Sequence, residues 1–169
     1  MDRKNFLLHS ATAGTALLIH PFQNFAQVKS KQTDPYKPEI VKEFVGAGHN
    51  NLNRVKEMLA DYPNLLYCRH DSGNGDFEEA IEGAGHVGDK EIALYLIEQG
   101  ARHNIFVLTM LGETAIVKSV VERFPSLLFS KGAHGLTLLH HANRGGEPSK
   151  ELADYFRSKG LTQTQIKIK

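Results

Sequence analysis

Residues Gly83 to Ala101, GAGHVGDKEIALYLIEQGA, hold two apolar segments split by a polar turn, and their spacing recurs along the chain. Ile92, Tyr95 and Leu96 are spaced so that their side chains share one face of a helix. Val55, Met58 and Leu59 repeat this pattern upstream; Ile116 with Val120, then Leu152 with Tyr155 and Phe156, repeat it downstream. The tetrapeptide GAGH stands at Gly46 to His49 and again at Gly83 to His86. A longer echo runs through the same region: Tyr62-Pro63-Asn64-Leu65-Leu66-Tyr67 returns as Phe124-Pro125-Ser126-Leu127-Leu128-Phe129. Two short helices joined by a polar turn cannot bury both apolar faces alone, so each unit needs a neighbour to complete its core.

This pattern resembles the ankyrin repeat, a turn or finger followed by two antiparallel helices, opening on T-P-L-H-x-A and closing on an apolar pair before G-A. The best opening is Thr137-Leu138-Leu139-His140-His141-Ala142, with Leu138 where the family carries proline. A second unit has Glu79 and Glu82 at the threonine and histidine positions but closes well, as Ile97-Glu98-Gln99-Gly100-Ala101. The third has almost no finger, because only Arg102 to Asn104 separate Ala101 from IFVLTML, and the first, from about Glu39, is the most divergent. The resemblance spans roughly residues 39 to 160. It implies an all-α fold, an ankyrin-repeat solenoid of about four stacked helix-turn-helix units.

Flanking segments read differently. Residues 1 to 26 resemble a bacterial export signal: Arg3 and Lys4 precede the apolar FLLHSATAGTALLI, Pro21 breaks the helix, and a cleavage position follows at Ala26. Asp-Arg-Lys-Asn-Phe-Leu-Leu is similar to a twin-arginine signal, with lysine for the second arginine; the general secretory route is the alternative. The mature chain is therefore expected to be exported, in the periplasm. The polar, proline-containing residues 27 to 38 read as a linker. Residues 161 to 169, LTQTQIKIK, alternate polar and apolar; a frayed tail is expected, the alternative being a strand that pairs with a partner or another copy. Pro63 and Pro125 should end helices and force an extended exit, and Gly100 and Gly160 suit left-handed helix ends.

A chain of 169 residues with 41% hydrophobic and 23% charged residues is one globular domain's worth. Its net charge of +1 gives no general attraction to phosphate backbones or acidic membranes, so neither nucleic acid nor stable membrane insertion after signal removal is expected. Cys68 is the single cysteine and aligns with Ser130 in the echo, a small residue near a turn.

Few residues suggest chemistry. His140 falls at the histidine of the ankyrin opening, where the resemblance implies a ring that ties down backbone between neighbouring turns; adjacent His141 points to another face. In Asp76-Phe77-Glu78-Glu79-Ala80-Ile81-Glu82, followed by His86, a helical reading would line up Glu78, Glu82 and His86 at steps of four, where they could converge on one cation such as Zn²⁺. Gly83 and Gly85 weaken such a helix, and a solvated acidic face is the other reading. No phosphate-cradling loop, His-Glu-x-x-His pair or nucleophile turn is present in the sequence. No catalytic residue, metal or cofactor is assigned.

The resemblance implies a module that binds another protein through turn tips and first helices. By position this selects Arg69, His70, Asp71, Asn74, Asp76, Glu79 and Glu82 in one stretch and Lys131, His134 and Arg144 in the other, giving an acidic edge and a basic one. The missing third finger leaves a gap in the row of tips, either a groove or a feature without a role. Two other classes stay open. A small metal-dependent or acid/base enzyme would need at least three of Glu82, His86 and the histidines near His140 to meet in one pocket. A self-assembling protein would pair stack ends or tails.

Overall fold

The computed structural model describes residues 34 to 168, and those from Tyr36 onward form one compact unit. The expected export signal and most of the expected linker lie outside the described residues. Among the described residues there are eight α-helices, one small hairpin and several 3-10 turns. None of the helices is long and apolar enough to cross a membrane.

The helices come in four pairs: α1 (Pro38–Ala47) with α2 (Leu52–Asp61), α3 (Ala80–Val87) with α4 (Lys90–Glu98), α5 (Ile105–Leu111) with α6 (Thr114–Arg123), and α7 (Leu138–Gly145) with α8 (Lys150–Ser158). Side chains just ahead of the helices set several starts. Asn51, Asp89 and Asn104 each accept a hydrogen bond from a backbone N–H in the first turn of α2, α4 and α5, which satisfies donors that have no partner within the helix. A capping box starts α3: the Glu79 side chain accepts from the third helical N–H, and Glu82 accepts from the Glu79 N–H. At the other ends, Gly100 (φ 92°) and Gly160 (φ 94°) take the left-handed conformation, closing α4 and α8 with bonds from Ala101 N to Leu96 O and from Leu161 N to Phe156 O.

The sequence echo has one backbone solution in both copies. Helices α2 and α6 stop before Tyr62 (φ −135°, ψ 73°) and Phe124 (φ −130°, ψ 75°). Pro63–Tyr67 and Pro125–Phe129 then form matching 3-10 turns, and Cys68 and Ser130 leave them extended. After the first copy the chain makes an antiparallel hairpin, β1 (Arg69–Asp71) and β2 (Phe77–Glu79), paired Arg69 to Glu79, His70 to Glu78 and Asp71 to Phe77. After the second it makes a shorter finger around Ala133–Gly135. Between Ala101 and α5 there is no finger.

Two apolar clusters form the core. One gathers units one and two around Phe44, Val55, Leu65, Ile81, Ile92 and Leu96; the other gathers Val117, Leu138, Leu152, Phe156 and Leu161. Helix α5 serves both, giving Val107 and Met110 to the first and Phe106 to the second. Packing also departs from simple nearest-neighbour stacking, for α7 lies against α3 as well as α5. Small residues permit this approach: a Cβ on Gly85 would sit 3.2 Å from the Val107 side chain and 3.9 Å from the His141 ring, and one on Gly88 would sit 2.8 Å from the Arg144 carbonyl.

The C-terminal segment is not frayed. Thr137 N and Oγ1 donate to Thr164 O (3.0 Å) and Gln163 O (2.7 Å), and Ile166 N donates to Gly135 O (2.8 Å). Leu136 and Gln165 form an antiparallel bridge, so the alternating tail finds its strand partner in the chain's own fourth finger.

Candidate functional site

Beneath the fingers, four side chains from four segments converge: His49 just after α1, Glu78 on β2, His86 on α3 and His134 in the fourth finger. Strand alternation turns Glu78 inward between Phe77 and Glu79, leaving it 3% exposed. Both GAGH histidines reach the cluster, their ring centroids 4.7 Å apart. Gly83, in the second GAGH, makes room for the first, since a Cβ there would stand 2.9 Å from the His49 ring.

The imidazoles surround the Glu78 carboxylate. His49 Nε2 lies 3.5 Å and His86 Nδ1 3.1 Å from Oε1, and His134 Nε2 lies 3.5 Å from Oε2. One potential ligand atom from each of the four residues can be chosen so that all lie within 4.8 Å of one another. Glu78 Oε1 and His86 Nδ1 are both buried and, among the described residues, have no hydrogen-bond partner. Their separation is short, but the direction is wrong for a ring N–H to reach that oxygen.

Two of the histidines are oriented from behind. His49 Nδ1 is 3.1 Å from Val45 O; a carbonyl only accepts, so Nδ1 carries the hydrogen and Nε2 faces Glu78 unprotonated in the neutral ring. Asp76 grips His134 twice, Oδ1 accepting from its backbone N–H and Oδ2 from Nδ1, both at 2.8 Å. His134 is held in the left-handed region (φ 59°, ψ 17°), a conformation that costs a non-glycine residue on the order of 1 kcal/mol or more. Burial alone would lower the His134 pKa, yet the Asp76 and Glu78 carboxylates more than offset it and the value is raised. Burial likewise opposes ionisation of Asp76, but its two bonds from His134 bring its pKa below the usual range.

The helical ladder of Glu78, Glu82 and His86 is not formed. Residues 77 to 79 are strand and α3 begins at Ala80, so the step from Glu78 to Glu82 crosses a strand-helix junction. Glu82 turns instead to the helix start, accepting from Glu79 N–H (2.8 Å) and Asn104 Nδ2 (2.6 Å), with Arg69 at 3.5 Å. Glu79 faces Arg69 and Arg102 at 3.6 and 3.7 Å, and burial, then Glu82, raises its pKa. The acidic edge is thus largely paired within the chain. Arg69, Asp71, Asn74 and Lys131 are exposed on the fingers, His70 and Asp76 half-buried there. Arg144 lies at the far end of α7, against Gly88, and does not share that edge.

His140 and His141 stay outside the cluster. His140 Nε2 meets the His86 carbonyl at 2.8 Å, binding α7 to α3, and His141 Nδ1 meets Thr137 O at 2.8 Å. Burial pushes the Cys68 thiol pKa up, which makes it a poor nucleophile. His49 was legible only through the GAGH repetition, which places equivalent side chains on neighbouring units.

A cleft of about 450 Å³ opens between the second and fourth fingers, where the third unit has none. Arg69, Phe77 and Glu82 line one wall, Lys131 and Ile168 the other, and Phe106 lies between. The Asp76 to His134 contact closes the gap at one end. No family model matches the chain, and neither the curated proteins nor the solved structures compared with it include a similar one.

Proposed function

We propose that this chain is an exported, ankyrin-type binding module that takes a segment of a partner protein into the cleft between its second and fourth fingers. The cleft is the observation that carries the reading. Its walls combine an exposed aromatic ring, Phe77 at 46% exposure, with Arg69, two residue types enriched in protein interfaces, and Lys131 adds a second cation opposite them. Four helix pairs with a twice-repeated turn support the solenoid assignment, and a stack of this kind presents a groove with little ordering cost on binding.

Site-specific photo-crosslinking tests it. A crosslinking side chain placed at Phe77, and separately at Ile116, which is 49% exposed on α6, is activated in the host's envelope fraction. Expected is one adduct mass from position 77, lost when Lys131→Glu is added, and none from position 116. Equal labelling from both positions, or none from 77, removes the cleft as the binding face.

A further inference from the structure

We propose that His49, Glu78, His86 and His134 bind a single Zn²⁺ ion that ties the first, second and fourth units together. Spacing is the first argument. Tetrahedral zinc with bonds of about 2.0–2.1 Å sets its ligand atoms about 3.3 Å apart, and the three imidazole nitrogens stand 3.1–3.5 Å from the Glu78 oxygens. One such atom from each of the four residues lies within 4.8 Å of the others, so closing the set around an ion draws these atoms inward by about 1.5 Å at most.

Burial is the second. Glu78 is 3% exposed and its Oε1 lacks a hydrogen bond among the described residues. An uncompensated buried carboxylate is strongly unfavourable. A divalent cation between that oxygen and His86 Nδ1 satisfies both atoms at once.

The third argument is the support behind the ligands. Metal-binding histidines characteristically donate their other ring N–H to a carboxylate or backbone carbonyl, which fixes the tautomer. His134 does so to Asp76 and His49 to Val45 O, each presenting Nε2 to Glu78. The left-handed backbone of His134, fastened by Asp76 through its N–H, places that ring under the second finger.

Three imidazoles and one carboxylate suit zinc among the common divalent ions, and four protein ligands without an open position define a structural centre. Its place in the fold explains why it is needed. With no third finger between them, the second and fourth fingers lack the neighbour that would order each in a regular stack, and the ion supplies that link.

The test uses the full chain, stripped with chelator and titrated with Zn²⁺ against a chromophoric competitor, with Co²⁺ as the spectroscopic substitute. Expected are one ion per chain and the intense visible bands of four-coordinate Co²⁺. Glu78→Gln and His134→Asn should each weaken binding by more than about 100-fold, and Asp76→Asn, acting through His134, by about 10- to 100-fold. His103→Asn, at a histidine that turns to the Ala101 carbonyl and stands outside the cluster, should leave affinity unchanged. Circular dichroism checks that each variant folds; if Glu78→Gln does not, His49→Asn, at a half-buried member of the cluster, replaces it. Absence of stoichiometric binding, binding that survives the ligand substitutions, or a six-coordinate Co²⁺ spectrum would overturn the proposal.

Discussion

His141 is 3% exposed, its ring packs on Phe106, and its Nδ1–H donates to Thr137 O. Burial depresses its pKa to about 4; the Thr137 bond opposes this, and the nearby His140 and His86 rings add to it. In the unfolded chain the ring titrates near about 6.5. Between these values the unfolded state binds a proton that the folded state refuses, so stability present above about pH 6.5 is lost as the pH falls towards 4, by at most about 3 kcal/mol. Urea midpoints in chelator should fall across that window, and His141→Leu should flatten the dependence. An unchanged slope in the variant would assign the effect to other groups. Gly145 offers a second test at this scale: a Cβ there would run into the Met110 carbonyl and Ser149. Overpacking against backbone outweighs the helix preference of alanine, so Gly145→Ala should destabilise the fold by about 2 kcal/mol, read as a lowered urea midpoint with an unchanged slope. Single-residue roles were partly open to sequence reading. The ankyrin resemblance implies a His140 ring that ties down backbone between neighbouring turns, whereas its Nε2 meets the His86 carbonyl on α3, far back along the chain. The resemblance could not bring Glu78 to His134, because that meeting depends on two fingers closing over a missing third.

At the level of elements, the helical ladder and the frayed tail depart from expectation for opposite reasons. A period-four reading of the acidic run assumed one helix, whereas the chain changes from strand to helix at Ala80. The junction is marked in the sequence by Glu79-x-x-Glu82, a glutamate form of the capping box, but the alternation across Phe77-Glu78-Glu79 runs against residue type, with Phe77 exposed and Glu78 buried. The tail posed the opposite problem: its alternation was visible as strand-forming, but the edge it pairs with is a finger whose backbone no local pattern announces. That pairing yields its own prediction. Truncation after Leu161 keeps that buried residue but removes the bonds to Gly135, Thr137 and the His134 carbonyl. At about 0.5–1.5 kcal/mol net each, offset by the freedom the tail regains, the loss should be about 1–2 kcal/mol. Amide exchange should quicken at Thr137 before it does in α2. Unaltered exchange there would mean the tail contributes nothing to the finger.

For the whole molecule, the question is how far disturbance at one end travels. In a nearest-neighbour stack each unit contacts only the next, so end units can open independently. Here α7 packs on both α3 and α5, α5 contributes to both core clusters, and Asp76 and His134 join fingers from different units. These links bypass the third unit and bind the fourth to the second directly. Leu152 on α8 is fully buried in the second cluster, far along the chain from α2. Replacing such a leucine with alanine costs about 2–5 kcal/mol. If the molecule unfolds as one body, exchange through global opening should accelerate about 30-fold or more in Leu152→Ala. Hydrogen exchange read by mass spectrometry should show that acceleration equally in peptides covering α2, α4 and α8. Acceleration confined to α7 and α8 would instead mean that the last unit opens alone and that the contacts between α3 and α7 transmit little.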